Sequence, residues 1–238
     1  MERAGRRRLT IVGIAVVVAA VCVALGLWQL RRLSDRRALN DEILLARAAP
    51  AVLAGSASDI ESLAPYRRVI VRGTYDVDAE VLLYGRSLRE QPGHEVVTPL
   101  VFDDGSAVLV IRGWVPFSIA ARAPVTEASP SARRVLVEGW LVPPETTGES
   151  RPDRDGVVRT LDIKGIGDGV TDDLAPLAIQ LHEQDPAPAS LPEPVPLPQL
   201  SEGPHLSYAI QWFSFAAIAL VGAFVLLRRK GRSATPSP

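Results

Sequence analysis

Hydrophobic and polar positions along this chain fall into three regimes. From Leu9 to Leu27, and again from Tyr208 to Leu227, no charged side chain occurs. Each run is about twenty residues, which at 1.5 Å rise per helical residue spans the roughly 30 Å hydrocarbon core of a bilayer. Between them lies a polar stretch of about 180 residues whose apolar positions come in short runs, a strand pattern. The runs are Arg68–Tyr75, Glu80–Arg86, Glu95–Phe102, Ala107–Val115, Arg134–Val142, Val157–Ile163 and Leu177–His182, separated by Gly, Pro, Asp and Ser clusters. The pattern predicts two transmembrane helices flanking one mainly β (α+β) domain. The spans are 9–30 and 207–227, the domain is 31–185, and 1–8 and 228–238 are short flanks.

Local signals refine this outline. Ser34–Ala48 reads as a short helix leaving the membrane, stopped by Pro50. Asp104-Gly105 lies between two apolar runs and predicts a hairpin with a type I′ turn. Three strands share a pattern, Val-Ile-Val-Arg-Gly-Thr-Tyr at 69–75, Val-Leu-Val-Ile-Arg-Gly-Trp at 108–114 and Val-Leu-Val-Glu-Gly-Trp at 135–140. Glycine inside a strand permits a bulge or sharp coil, so a curled sheet or small barrel is expected. The seven prolines of Pro186–Pro204 predict an extended return segment, 186–206, leading to the second span.

Charge orients the frame. Arg3, Arg6, Arg7 and Arg8 precede the first span and Arg31, Arg32, Arg36 and Arg37 follow it, so this span is neutral on orientation. Arg228, Arg229, Lys230 and Arg232 follow the second span, whereas no Lys or Arg occurs between Asp185 and Ala209. The positive-inside rule then places both termini in the cytoplasm and the central domain outside, in a bacterial cell membrane. A cleaved secretory signal is the alternative for the first stretch, although an h-region is usually only about 7 to 15 residues.

Composition narrows the chemistry. A net charge of -1 gives no general attraction to nucleic acid. The single cysteine, Cys22, lies inside the first span, so no disulfide staples the outer domain. With Met1 the only methionine, copper(I) trafficking lacks its thiolate and thioether ligands. No phosphate loop, Gly-x-Ser-x-Gly elbow or zinc spacing occurs, so nothing supports an enzyme, and a membrane-tethered hydrolase would need a Ser/His/Asp cluster made only by folding.

The remaining candidates cluster at the outer ends of the spans. His205, Tyr208 and Trp212 share a helical face. A neutral imidazole between aromatic rings at a membrane edge is either an interfacial histidine within an aromatic belt or a ligand for iron in a flat apolar macrocycle. Trp28-Gln29 and Gln211-Trp212 lie at similar depth, with indole anchoring the simpler role for Trp28 and Trp212. Arg31 and Arg32 suit lipid headgroups or the carboxylates of a heme. Ala15 and Ala19 facing Ala219 and Ala223 offer small residues for close helix packing. Arg112, inside an apolar strand beside Trp114, needs a partner, either an internal carboxylate or ring, or a docking protein.

Five separated stretches carry a resemblance. Leu-Gly-Leu-Trp-Gln-Leu-Arg-Arg at 25–32, Tyr-Arg-Arg-Val-x-Val-x-Gly-x-Tyr at 66–75, Val-Val-Thr-Pro-Leu at 96–100, Arg-Gly-Trp-Val-Pro at 112–116 and His-Leu-Ser-Tyr-Ala-Ile-Gln-Trp-Phe at 205–213 resemble the Surfeit locus protein 1 family. That family comprises membrane factors for assembly of heme-copper cytochrome c oxidase. The resemblance implies a chaperone that helps insert or stabilise heme a in oxidase subunit I, with heme a synthase as a further possible partner. It also implies a heme contact at His205. Where many members carry an asparagine shortly before this histidine, the chain has Gly203-Pro204. The resulting expectation is transient heme a binding by His205, its iron ligand, with Tyr208, Trp212, Trp28, Arg31 and Arg32. Arg112 and Trp114 are expected at a partner surface. A cofactor-free scaffold docking the same proteins is the alternative.

Overall fold

A computed structural model describes residues 2–145, 150–168, 170–171, 173–188 and 190–228. The chain divides into two compact units, one formed by 1–42 with 200–238 and the other by 43–199.

The first unit is a pair of helices. Helix α1, Glu2–Ala48, is one uninterrupted helix, so the expected short helix at 34–48 is a continuation of the span rather than a separate element. It stops where expected, because Pro50 has no N–H and disfavours helical backbone at the residue before it. Helix α4, His205–Arg228, runs antiparallel to α1. Both are long and apolar enough to cross a membrane, and most of their surface is unburied in the folded chain. Leu9, Val17, Ile218 and Val221 are more than 60% exposed, a large apolar surface that a bilayer covers at no cost and water does not. Between the helices Ala19, Cys22 and Ala216 are buried, with Trp212 and Ala219 packed against them. Small residues permit this approach. Gly26 permits more of it, since a Cβ there would lie 2.6 Å from the Phe213 ring. The basic cluster Arg229, Lys230 and Arg232 lies outside the described residues.

The second unit is a mixed eight-stranded sheet. Its strands are β1 (Val52–Ala54), β2 (Arg68–Tyr75), β3 (Val81–Leu88), β4 (Gln91–Val101), β5 (Ala107–Pro116), β6 (Val135–Val142), β7 (Val157–Val158) and β8 (Ala178–Asp185). They lie in the order β1-β2-β6-β8-β5-β4-β3-β7. β1–β2, β3–β7 and β5–β8 pair in parallel and the rest antiparallel. β2 also pairs with β4 through Thr74↔Val101 and Tyr75↔Leu100, so β2, β6, β8, β5 and β4 are each paired to the next in a ring. Irregularities help the sheet bend. Register shifts occur between Tyr84 and Arg86 around Gly85, between Val96 and Val97 opposite Arg112, and between Glu138 and Gly139 opposite His182. Each of the three patterned glycines meets a neighbouring backbone. A Cβ at Gly73, Gly113 or Gly139 would run into the carbonyl of Val101, Glu193 or Gln180.

β5 explains why its sequence is apolar without alternation: it is buried on both faces. Val108 and Val110 join the core with Val69, Val71, Leu100, Val137 and Ile179. Leu109 and Ile111 join a second core with Leu83, Val97, Leu161 and Ile166. Helix α2, Ala57–Glu61, puts Ile60 against the first core and is capped by the Ser56 hydroxyl, which accepts from Asp59 N. The expected strand 157–163 is only two residues long. Ser150 Oγ accepts from the Arg159 and Thr160 N–H groups, replacing their ladder partners, and α3 follows at Ile163–Gly167.

Two turns differ from expectation in an instructive way. The hairpin at Asp104-Gly105 exists, but it closes from Phe102 O to Gly105 N with Gly105 alone at positive φ, +88°. This is a three-residue connection with a left-handed glycine. The two-residue turn with two positive φ angles occurs instead at Arg89 (50°) and Glu90 (67°), joining β3 to β4. Glu193, in the expected return segment, forms an isolated bridge with Trp114. The two residues exchange both backbone hydrogen bonds, at 2.7 and 2.8 Å.

Candidate functional site

The helical unit gathers its polar groups where α4 begins. Gly203, at a φ of +72°, turns the chain so that His205 opens the helix. Three side chains of α1 hold the approach. Arg36 Nε donates to Ser201 O at 3.1 Å and Asn40 Nδ2 to the same carbonyl at 3.3 Å. Arg37 makes a two-pronged contact with the Glu202 carboxylate at 2.9 and 2.8 Å. That pairing holds the Glu202 carboxyl below its ordinary value and raises the Arg37 guanidinium.

His205 itself is half-buried, with Nδ1 2.9 Å from Gln29 Oε1. An amide oxygen only accepts, so this contact calls for the proton on Nδ1, and in the neutral tautomer that makes it Nε2 keeps its lone pair. A ligating histidine commonly has this arrangement, its far nitrogen fixed by an acceptor so that the near one is oriented and basic. Gly203 leaves room there: a Cβ at that position would sit 3.4 Å from Nε2.

Beside the imidazole is an open cavity of about 440 Å³ lined by Arg32, Asp35, Arg36, Leu39, Ser201, Gly203 and His205. Two guanidinium groups and the positive end of α4 outweigh one carboxylate, so the site favours anionic groups. Its α1 residues recur at helical spacing, 32, 35, 36 and 39, and Trp28 precedes Arg32 by one turn on the same face. Trp28 and Tyr208 are about half exposed, at 52% and 47%.

Of the sequence-predicted residues, then, His205 and Arg32 meet at one cavity. Trp28 and Tyr208 stand near it on their helices without lining it. Arg31 is exposed and also outside it. Trp212 turns inward, against the Ala19–Cys22–Ala216 cluster, with its ring 5.9 Å from Phe215. Gln29, Arg36, Asp35 and Leu39 are contributions that single-residue reasoning missed. For Asp35, Arg36 and Leu39 the signal was the continuation of the Trp28–Arg32 stripe along α1.

Arg112 and Trp114 belong to the β interior, and their geometry does not favour the expected docking role. Arg112 is 2% exposed. Its Nη1 lies 3.1 Å from Glu80 Oε2, its Nη2 donates to Ala128 O at 2.7 Å, and its guanidinium lies over the Tyr75 ring at 5.2 Å. Glu80 also accepts from Thr98 Oγ1 and Val125 N, at 2.8 and 2.9 Å. Burial pushes the Glu80 carboxyl upward against the pull of these donors. Trp114 is 3% exposed and donates Nε1–H to Arg86 O at 3.2 Å. A docking partner would find neither side chain at the surface. Among the described residues no cluster of three or more His, Cys, Asp or Glu is placed to hold a metal ion.

The model of the SURF1 family, that of Surfeit locus protein 1, matches residues 16–217. A SURF1-like protein of Rickettsia felis is 26% identical over 91% of this chain and 96% of its own length. An uncharacterized SURF1-like protein of Mycobacterium bovis is 31% identical over 94% of this chain and 88% of its own. A SURF1-like protein of Monosiga brevicollis is 30% identical over 90% of this chain and 86% of its own length.

Proposed function

The chain belongs to the SURF1 family, and from that premise we propose that it is a non-catalytic assembly factor for heme-copper cytochrome c oxidase, holding heme a transiently for subunit I. The single observation that carries this reading is the hydrogen bond from His205 Nδ1 to Gln29 Oε1, which leaves Nε2 free beside a cavity lined by Arg32 and Arg36. These residues fit the group. Nε2 is a donor suited to ferric or ferrous iron, Arg32 and Arg36 suit its carboxylates, and exposed Trp28 and Tyr208 offer apolar faces for its ring. The heme when bound supplies only its iron and its redox state; the protein orients it and releases it. The cavity's own walls are mostly polar, with Leu39 the one apolar side chain, which suits weak holding rather than permanent residence.

The proposed setting is the bacterial cell membrane, with both termini cytoplasmic and the β unit outside as a small barrel. The two apolar helices and the absence of Lys and Arg from 185 to 209 support it. Oxidase subunit I is the proposed client and heme a synthase a possible donor.

The test is heme content of the full chain purified from cells that make heme a. His205→Ala is expected to remove most of it, and Gln29→Ala to weaken retention about tenfold, as loss of an orienting partner commonly does. Equal heme in wild type and His205→Ala would remove His205 from the site. The polar lining also keeps a second reading in view, a cofactor-free scaffold, for which oxidase subunits would co-purify undiminished with either variant.

A further inference from the structure

A second cleft lies within the β unit and shares no lining residue with the His205 cavity. It has a volume of about 540 Å³ and is lined by Tyr84, His94, Ala121, Ser150, Arg151, Asp153, Val157 and Arg159, a size in the range of small-ligand sites. β3 and β4 build its wall, with Tyr84 and His94 directly opposite each other just before the Gly85 bulge. Phe117 stacks on Tyr84 at 5.4 Å and meets the edge of His94 at 4.7 Å.

Its polar groups are matched to one kind of guest. His94 is 5% exposed, and its Nδ1 is buried without a hydrogen-bond partner. Buried polar atoms are usually paired, and this one is not. Burial lowers the pKa of this imidazole, so it is the neutral ring, able to present one N–H. Ser150, 8% exposed, accepts from Arg159 N at 2.9 Å and Thr160 N at 3.4 Å. Both of its lone pairs are thereby engaged and its hydroxyl proton remains to donate. Arg159 lies over the Tyr84 ring at 5.5 Å, a contact that leaves its N–H groups available. Among the described residues no carboxylate pairs with it within 4.0 Å. Arg151 pairs with Asp168 at 3.1 Å while remaining largely exposed. The lone lining carboxylate, Asp153, accepts through Oδ1 from Asp155 N and Val157 N at 2.9 Å each. Two guanidinium groups thus line the cleft against one carboxylate, and the balance of charge is positive.

We propose that this cleft binds a small anion bearing a carboxylate or phosphate group, held by Arg159 and Arg151 and oriented by the His94 imidazole and the Ser150 hydroxyl. The group could belong to a free solute or to a lipid headgroup. The site does not depend on heme binding and stands if that reading fails.

The test uses the full chain with isotope-labelled histidine in phosphatidylcholine nanodiscs, following imidazole resonances assigned through His182→Gln and His205→Gln. Inorganic phosphate and acetate are titrated at constant ionic strength. The expected result is a saturable shift of His94 alone, weakened at least about tenfold in Arg159→Gln, an exposed site where folding is not at stake. A shift with the free anions identifies a solute. A shift seen only when phosphatidylglycerol enters the nanodisc identifies a headgroup. No shift under any of these conditions, a shift unchanged in Arg159→Gln, or equal movement of all three histidines would overturn the proposal.

Discussion

Arg112 shows how far a single side chain was readable. Its charge inside an apolar strand announced that a counterion must exist, but Glu80 lies 32 residues earlier at the entry to β3, and nothing local pairs them. Removing the cation strands a buried carboxylate, so Arg112→Ala is expected to destabilise the β unit by about 3 to 5 kcal/mol. The double change Arg112→Met with Glu80→Leu should recover most of that loss in chemical denaturation of the full chain. Glu95 responds differently. Burial raises its carboxyl from the ordinary 4.5, opposed by Arg86 and reinforced by Glu145. A raised folded-state pKa means that its stabilising contribution is complete below the unfolded value and is lost as pH rises through the folded one. Denaturation midpoints taken from about pH 4 to about pH 7 should therefore fall less steeply with rising pH in Glu95→Gln than in wild type.

At the level of elements, alternation and length carried most of the sheet. The expected 68–75 strand coincides with β2, and β5 and β6 differ from expectation by one residue at one end. The shortfalls have identifiable causes. β8 runs past His182 because Gln184 is buried, accepting from the Tyr75 hydroxyl at 2.8 Å, a polar core contact that periodicity cannot announce. β4 begins four residues early because the chain reverses at Arg89-Glu90, a pair with no turn chemistry. Left-handed backbone at such residues costs roughly 1 kcal/mol each. Arg89→Asn with Glu90→Gly should therefore stabilise the β unit by about 1 to 2 kcal/mol, read as a higher denaturation midpoint. The site was partly legible for the same reason. His205 and Arg32 stood out by type and position, whereas Arg36 became evident only when α1 proved to be one helix carrying the stripe onward, and Gln29 only through its contact with His205.

For the molecule as a whole, the proposed topology has a direct check. Cys22 is the one native thiol and is buried between the helices. In a Cys22→Ala background, Asp103→Cys places a unique thiol on an exposed loop, the native side chain being 74% exposed. An impermeant maleimide should label it in cells whose outer barrier is opened but whose inner membrane is intact. Labelling only after lysis would reverse the assigned sides. The buried Arg112–Glu80 pair bears on assembly too. β5 is apolar on both faces from Ala107 to Ile111, so oily contact alone hardly distinguishes its native alignment from one displaced by a single residue. Displacement would swing Arg112 away from its carboxylate toward the side held by Leu109 and Ile111, stranding two ions in a dry interior. The pair thus works as a checksum: misthreaded chains cannot close, and a domain without disulfides still arrives at one answer.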